Sequence, residues 1–263
     1  MALRLDISLP RSWQELTQTQ LRQLLSTILN IQRINETRVW RNREEYTDSV
    51  AYQILTRCLL LWAGFRVVCR YGKDWLINVS GQEYVVPLET ISSAASRLNW
   101  ISTPPEFPVR LDIIDGAEAV PADLRTGLSF DRWLSCEALW QAYISRQDDN
   151  LLRQMAAHLY AKDDIKVDDT EALSIFYWWA GVKSLFSRLF PHFFAPDMNV
   201  AGKDEPFDAD GLRRNVDAQI RALTKGDITK EPTVLAMDAF RAITELDALA
   251  REYDELNKKY PAK

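Results

Sequence analysis

The segment that most constrains this chain is SIFYWWAGVKSLFSRLFPHFF, residues 174–194, where nine of the twenty-one residues carry an aromatic ring if His192 is counted. On a helix from about residue 170 to 190, apolar side chains cover two faces: Ile175, Trp178, Trp179, Val182, Phe186 and Leu189 on one, and Leu173, Phe176, Tyr177 and Ala180 on the other. A helix that is apolar nearly all round is either buried or in a membrane. A membrane span needs roughly 20 residues with few charges, and Lys183, Arg188 and Pro191 interrupt this one. We therefore predict a central core helix.

The composition is that of a globular protein. Hydrophobic residues make up 47% and charged residues 26% of the 263 residues, and the formal net charge is −5. A general nucleic-acid binder usually shows a basic excess or a basic face, so this balance disfavours that class. The three cysteines, Cys58, Cys69 and Cys136, have no CxxC spacing, which predicts reduced, buried thiols. Arg4 and Asp6 interrupt the apolar run that a signal peptide would need, so we expect a cytoplasmic protein.

The N-terminal region, residues 1–103, is predicted to combine helices with a small sheet. Leucines at helical spacing begin near residue 18, after two overlapping capping-box patterns, Ser12 to Glu15 and Thr17 to Gln20. A second helix is predicted from about Asp48. Residues 65–91 are rich in β-branched and aromatic side chains, with turn residues near Gly72 and Gly81. This pattern is typical of a three-stranded antiparallel meander. A short helix is predicted at about 91–99.

The C-terminal region, residues 128–263, is predicted to be all helical. It follows a proline-rich connector, residues 104–127, in which Pro104, Pro105 and Pro108 favour extended chain. Helices are predicted at about 129–145, 149–161, 170–190, 209–224 and 232–259. The fold class is therefore mainly α (α+β): a helical bundle-like core with one small three-stranded antiparallel sheet in the N-terminal half. The three regions could also form one continuous domain.

The last predicted helix carries the sharpest pattern in the chain. Apolar residues alternate at spacings of four and three, as in a coiled-coil heptad: Leu235, Ala239, Ala242, Leu246, Leu249, Tyr253 and Leu256. Pro232 suits the first turn of such a helix, and Lys258 and Lys259 suit its last turn. The heptad face either packs along its own domain or binds a partner or a second copy of the chain. We take these seven residues as the candidate partner-binding site.

No catalytic signature is present. The two histidines, His158 and His192, belong to no recognisable triad or metal motif, and the chain lacks a P-loop, a G-x-S-x-G and a G-x-G-x-x-G pattern. We predict a protein that is not an enzyme and that needs no cofactor. An active site assembled from distant carboxylates is the alternative, and spacing along the chain does not test it.

The strongest metal-like pattern is DMNVAGKDEPFD, residues 197–208. Asp197, Asn199 and Asp208 would occupy ligand positions 1, 3 and 12 of a calcium loop. Position 5 is Ala201, which supplies no side-chain ligand. We therefore predict a polar loop between helices and no metal site. The acidic doublets at 148–149, 163–164 and 168–169 are predicted to cap the helices that follow them.

One basic cluster offers an alternative function. It comprises Arg33, Arg38, Trp40, Arg41 and Arg43. Arginines could contact phosphates while the indole stacks on a base. Glutamates at 36, 44 and 45 are interleaved and would neutralise much of the positive field, so a solvated loop is favoured. A nucleic-acid-associated phage protein is the alternative that this cluster supports.

The chain resembles a family of proteins found in prophage and phage gene clusters of Bacteroidetes. The stretches that carry the resemblance are LPRSWQELTQTQLRQL, LNWISTPPEFPVRL, IFYWWAGVKSLFSRLFPHFF and IRALTKGDITKEPTVLAMDAFRAITELDALAREYDELNKKY. The resemblance implies a role in tail assembly or in the virion, with other tail or assembly proteins, or a second copy, as partners. It implies the bacterial host cytoplasm, with incorporation in phage particles as a further option. None of these stretches is a catalytic motif.

Overall fold

The computed structural model describes residues 8–36, 43–194 and 209–259. In these residues the chain is mainly α-helical with one three-stranded antiparallel sheet in its N-terminal half, which confirms the predicted fold class. The helices are α1 (Gln18–Glu36), α2 (Arg43–Trp62), α3 (Leu88–Ala95), α4 (Phe130–Arg146), α5 (Asp149–Leu159), α6 (Asp169–Leu189), α7 (Ala209–Thr224), α8 (Glu231–Ala236) and α9 (Ala239–Lys259). The strands are β1 (Arg66–Tyr71), β2 (Asp74–Val79), β3 (Gln82–Pro87), β4 (Ile113–Ile114) and β5 (Ala117–Glu118).

No helix in the described part of the chain combines the length and the apolar character that crossing a membrane requires. The chain divides into two compact units, Met1–Pro105 and Glu106–Lys263. The division falls within the run of prolines near residues 104–108.

Helices α1 and α2 pack together in the first unit. Leu24 and Leu25 of α1, and Cys58 and Leu59 of α2, are each no more than 1% exposed. Burial raises the pKa of the Cys58 thiol to about 12, so this cysteine is an uncharged packing group at neutral pH. Cys136 is buried as well, whereas Cys69 is exposed on β1. The prediction of buried thiols is therefore wrong for Cys69.

Three tryptophans tie the start of the first unit to its end. The ring centroids of Trp13 and Trp100 lie 5.8 Å apart with one edge facing the other, and Trp62 stacks on Trp100 at 6.5 Å. The Trp13 indole N–H donates to the Thr103 carbonyl at 2.8 Å, and the Trp100 indole N–H donates to the Pro10 carbonyl at 3.1 Å. The indoles of Trp13 and Trp100 thus satisfy their polar groups within this cluster.

The sheet has the order β1–β2–β3, with both pairs antiparallel. Ile77 at its centre stands opposite Val67 on one side and Tyr84 on the other, and it is 1% exposed. A bulge interrupts β1 between Val67 and Cys69. All six residues of β1 are exposed, so the core of the first unit covers only part of this sheet.

The aromatic helix α6 forms the core of the second unit, as predicted. Trp178, Trp179 and Phe186 are 0% exposed. The ring of Trp133, on α4, lies 4.8 Å from Trp179 and 5.1 Å from Phe186 between centroids. The Trp178 indole N–H donates to the Ala122 carbonyl at 2.7 Å. Aromatic pairs at these separations add to the burial of their large apolar surfaces.

Residues 106–127 pack into the second unit and do not form a free linker. Leu111, Ile114 and Leu124 are at most 2% exposed. The Leu111 carbonyl accepts a hydrogen bond from the Tyr160 hydroxyl at 2.6 Å. Gly181 of α6 allows a close approach, because a Cβ at this position would lie 3.0 Å from the Pro108 Cα. The short hairpin of β4 and β5 was not predicted, since two-residue strands leave no periodicity to read.

Side chains cap several of the predicted helices. The Asp168 carboxylate accepts from the Glu171 N–H at 2.8 Å and the Glu171 carboxylate accepts from the Asp168 N–H at 2.9 Å, a capping box at the start of α6. Asp148 caps α5 by accepting from the Asn150 N–H. A capping box at Thr17 also precedes α1. The Ser12 pattern makes no such side-chain bond, and residues 163–164 lie in a turn ahead of α6.

The prediction of a single helix over 232–259 is wrong, because Met237 and Asp238 are not helical and separate α8 from α9. The Met237 carbonyl accepts from the Phe130 N–H at 2.8 Å, and the Ala239 N–H donates to the Leu128 carbonyl at 2.8 Å. The Asp238 carboxylate accepts from the Gly127 N–H at 2.9 Å. These bonds hold the segment in extended backbone, so the heptad pattern crosses a break. The helix that follows is about 30 Å long and not about 40 Å.

Replacing Trp178 with alanine should lower the free energy of unfolding of the second unit by about 3–5 kcal/mol, because a fully buried ring is lost and a cavity is left. Urea unfolding followed by circular dichroism measures the change. Leu189→Ala is the matched control on the same helix: its side chain is 41% exposed, so the loss should be about 1 kcal/mol. Equal, small losses in both variants would contradict the core placement of α6.

Candidate interaction surface at the end of the last helix

The seven heptad residues divide into a buried half and an exposed half. Ala239 and Ala242 are 0% exposed and Leu246 is 6% exposed. Leu249, Tyr253 and Leu256 are 36%, 65% and 57% exposed. We call these last three residues the exposed seam. Leu235 lies on α8, before the break, and is half-buried. The apolar pattern therefore continues along α9 beyond the point where its own unit covers it.

The buried half of α9 contacts three other helices of its unit. α9 packs against α4 and α7. The ring of Phe240 lies 5.1 Å from Phe190 and 5.8 Å from Phe186 between centroids. The sequence left two alternatives for the heptad face, packing within its own unit or binding a partner. For Ala239, Ala242 and Leu246 the first alternative holds.

Polar contacts fix one flank of α9 as far as Asp254. The Asp247 carboxylate accepts from the backbone N–H groups of His192 and Phe193 at 2.8 and 2.9 Å. The Asp254 carboxylate lies 3.1 Å from Nδ1 of His192. These contacts hold the turn after α6 against one side of α9, while the side that carries the exposed seam stays open to solvent.

An exposed apolar stripe on a fixed helix is suited to protein contact. Its three side chains lie at i, i+4 and i+7, which is the spacing by which one helix packs on another or lies in a groove. The stripe is bordered by charged residues, including Glu252, Glu255 and Lys259, as in the flanks of a coiled coil. The heptad rule located this face. Burial by distant residues decided which half of it is accessible.

A second candidate site, which the sequence analysis missed, is an open cleft of about 710 Å³ between α4 and α5. It is lined by Ser135, Arg153, His158 and Asp163 among others. Ser135, His158 and Asp163 are the residue types of a hydrolase triad. Among the described residues, however, no hydrogen bond joins any two of the three. Sequence spacing offered no signal for this cleft, because helix packing brings residues 135 and 163 together.

The ionisable side chains in the cleft serve to hold the helices together. Arg153 donates to the Val167 carbonyl at 3.2 Å and to the Asp169 carboxylate at 2.5 Å, so it joins α5 to the start of α6. Burial lowers the pKa of His158, and the positive charge of Arg132 lowers it further. Both effects favour the neutral imidazole at pH 7. His158 is therefore a neutral, half-buried side chain of the helix pair.

The remaining predicted site residues fall largely outside the described part of the chain. Of the basic cluster, Arg38, Trp40 and Arg41 lie outside it, while Arg33 and Arg43 are exposed, near the end of α1 and at the start of α2. The calcium-loop residues Asp197, Asn199 and Asp208 also lie outside it. Within residues 8–36, 43–194 and 209–259, no group of three or more His, Cys, Asp or Glu side chains could hold a metal ion.

The sheet of the first unit exposes several further apolar side chains. Tyr71 and Val67 of β1 are 63% and 41% exposed, and Val85 of β3 is 50% exposed. Cys69, Leu76 and Val85 stand opposite one another across the three strands. The density of β-branched residues predicted the strands. It carried no information about which side chains would be covered, because that depends on the distant residues that pack on the sheet.

Comparison of the chain with known protein families, with curated proteins and with solved structures finds no match.

Two substitutions on the heptad face should separate its buried and exposed halves. Leu246→Asp places a carboxylate in the core and should lower the free energy of unfolding by about 3 kcal/mol or more. Leu256→Asp, the same change ten positions further along α9, should alter it by less than about 0.5 kcal/mol. Chemical denaturation of both variants tests this. A strongly destabilised Leu256 variant would mean that the second half of the seam is also core.

The lowered pKa of His158 predicts a pH dependence of stability. The unfolded chain takes up a proton as the pH falls through about 6.5, whereas the folded chain resists that proton until a lower pH. The contribution of neutral His158 to the free energy of unfolding is therefore fully present above about pH 6.5 and is lost as the pH falls below that value. His158→Gln should flatten the decline in stability between about pH 7.5 and 5.5. Parallel slopes for the parent and the variant would show that burial of His158 is not linked to protonation.

Proposed function

We propose that this chain is a non-enzymatic phage or prophage protein that acts through protein–protein contacts, in tail assembly or as a component of the virion. The observation that carries the proposal is the exposed seam: three large apolar side chains, in heptad register, on a helix held in place by its neighbours. The resemblance to the prophage family supplies the biological setting. The contact surface is Leu249, Tyr253 and Leu256, together with their charged borders.

The energetics support a contact surface at this place. Burying a large apolar side chain that was exposed contributes about 1.5–3 kcal/mol, and each member of the seam retains a third or more of its exposure. Because α9 is already folded against its own unit, a partner would not have to order it first. Association therefore avoids the entropy cost that a disordered segment would meet on binding.

The non-enzymatic part of the proposal is supported by the character of the cleft between α4 and α5. A nucleophilic serine needs an adjacent base within hydrogen-bond reach, and among the described residues Ser135 has no such contact with His158. Arg153 is engaged with the backbone of Val167 and with Asp169, which suits a structural role.

The decisive experiment is quantitative mass spectrometry of purified phage particles and of the lysate from induced cells. Abundant protein in particles identifies a virion component, and its copy number indicates its place. Protein confined to the lysate, bound to a tail protein, identifies an assembly factor. In either case, a phage that carries Leu249→Asp and Leu256→Asp together should yield at most about one tenth of the infectious particles of the parent. The loss of about 1.4 kcal/mol of binding free energy already weakens an association tenfold.

The matched control is Arg251→Asp, an exposed residue on the opposite face of α9, which should leave the particle yield unchanged. The double variant must also keep the helical circular dichroism spectrum of the parent. A folded double variant that supports a normal yield would overturn the proposal that the exposed seam is the contact surface.

A further inference from the structure

One face of the three-stranded sheet is left open by the core of the first unit. Side chains along β3 alternate in exposure: Glu83, Val85 and Pro87 are exposed, and Tyr84 and Val86 are half-buried. Successive side chains of a strand point to opposite faces of the sheet, so the alternation separates an open face from a covered one. Ile77 of β2 stands opposite Tyr84 and is 1% exposed, so the core lies against the face of these two residues.

The open face consists of three rows of residues that stand opposite one another across the strands. Directly opposite residues share a face, and the register gives the rows: Arg66, Asn78 and Glu83; Cys69, Leu76 and Val85; and Tyr71, Asp74 and Pro87. The bulge in β1 adds one residue between Val67 and Cys69, and Arg66 and Cys69 therefore share this face although they are three positions apart. We call the three rows the open sheet face.

Opposite charges stand at the two edges of the open sheet face. Arg66 on β1 and Glu83 on β3 are both exposed, and Asn78 lies between them. The neighbouring row is apolar, with Cys69 exposed and Val85 50% exposed. A two-fold axis along β2 would place β1 of one copy over β3 of another. The open sheet face is therefore complementary in charge to a second copy of itself.

We infer that two copies of this chain associate through their open sheet faces, packed face to face about a two-fold axis that runs along β2. Arg66 of each copy faces Glu83 of the other, which gives two opposite-charge pairs. In the middle row, Leu76 packs on its own counterpart, and Cys69 of each copy packs on Val85 of the other. The two sheets form a small β-sandwich. The inference does not rest on the proposed function, because none of these residues belongs to the exposed seam.

A two-fold axis that runs across the strands is the main competing arrangement. It would place Arg66 opposite Tyr71 and Glu83 opposite Pro87, so neither charged group would gain a partner of opposite charge. Covering a carboxylate without a partner costs free energy. The axis along β2 has one cost of its own, because the two copies of Asp74 face each other. Two opposite-charge pairs against one like-charge pair favour the axis along β2.

Other occupants fit the open sheet face less well. A second β1 strand paired edge to edge with β1 would meet the bulge, which interrupts the ladder of hydrogen bonds that such pairing extends. Nucleic acid and anionic membrane surfaces are recognised by clusters of basic side chains. The open sheet face has Arg66 alone against the two carboxylates of Asp74 and Glu83.

The dimer is expected to be weak. Three strands of six residues each outline a face of about 14 Å by about 20 Å. Such an interface lies at the small end of specific protein contacts. We expect a dissociation constant of about 10 μM to 1 mM. A dimer of this strength forms where the protein is concentrated and separates on dilution.

Sedimentation velocity of the full chain over about 1 μM to 1 mM tests the inference. We expect a reversible monomer–dimer equilibrium for the parent. The same equilibrium, with a dissociation constant within about threefold, is expected for the variant that carries Leu249→Asp and Leu256→Asp. That variant disables the exposed seam and leaves the open sheet face intact.

Charge reversal on the open sheet face should weaken the dimer. Arg66→Glu alone and Glu83→Arg alone should each weaken it about tenfold or more, because each creates two like-charge pairs. Arg70→Glu is the matched control: Arg70 is exposed on the same strand but stands opposite Trp75, on the other face. This variant should keep the affinity of the parent to within about threefold. Asp74→Asn removes the like-charge pair and should tighten the dimer.

The sharpest arm of the test mixes the two single variants. A mixed dimer of Arg66→Glu with Glu83→Arg has only opposite-charge pairs, so the mixture should associate although each variant alone does so poorly. Both positions are exposed, and unchanged circular dichroism spectra verify folding.

Cys69 supplies an independent measure of the register. Val85→Cys places a thiol opposite Cys69 of the other copy, so oxidation of this variant should give a disulfide-linked dimer. The parent should give none, because the axis along β2 places its two Cys69 thiols at opposite edges. A disulfide between positions 69 and 85 of one chain does not compete, since β2 separates them by about 10 Å.

Three results would overturn the inference: a parent that stays monomeric throughout the concentration range, a mixture of the two charge variants that fails to associate, or a disulfide-linked dimer of the parent through Cys69. Loss of the dimer in the variant with Leu249→Asp and Leu256→Asp would also overturn it and would assign the contact to the exposed seam, leaving the proposed function standing. A dimer that persists in that variant, while its particle yield falls, supports both.

Discussion

The packing of Trp133 against Trp179 and Phe186 is the interaction on which the second unit depends. These rings lie at the centre of the unit with essentially no exposure, and they bring α4 and α6 together. Phe186 continues the cluster through Phe190 and Phe240 to the start of α9. Burial of several large aromatic surfaces supplies a driving force that an isolated helix pair lacks. The position of α9, and hence of its exposed seam, follows from this cluster.

The candidate site is a consequence of where that core ends. At the start of α9, Ala239 and Ala242 are small enough for close packing on the neighbouring helices. The same apolar stripe continues along α9 beyond the residues that these helices cover. The contacts of Asp247 and Asp254 with the turn at His192 keep the helix attached on one flank. The result is an ordered apolar stripe whose other flank carries Glu252 and Lys259. A stripe that is ordered before binding associates at a lower entropic cost than a flexible one.

Helix positions in this chain were largely predictable because their signals are local. Heptad or helical spacing of apolar residues, and caps such as Asp148 and Asp168, lie within a few residues of the structure that they specify. The three strands were predictable for the same reason. The break at Met237 and Asp238 was not, since its cause is hydrogen bonding to residues 127–130, more than a hundred positions earlier. The cleft beside His158 was not predicted either, because residues distant in sequence form it.

The sequence by itself determined that the chain is mainly helical, that residues 170–190 are core and that the last helix carries a heptad stripe, because side-chain periodicity and composition are properties of neighbouring residues. Only the tertiary structure decided that the stripe is interrupted before Ala239, that Leu246 is buried and that Leu249, Tyr253 and Leu256 are exposed. Burial depends on which distant surfaces come together. The sequence pattern of an apolar stripe is the same whether the stripe is covered by the core of its own unit or by a partner.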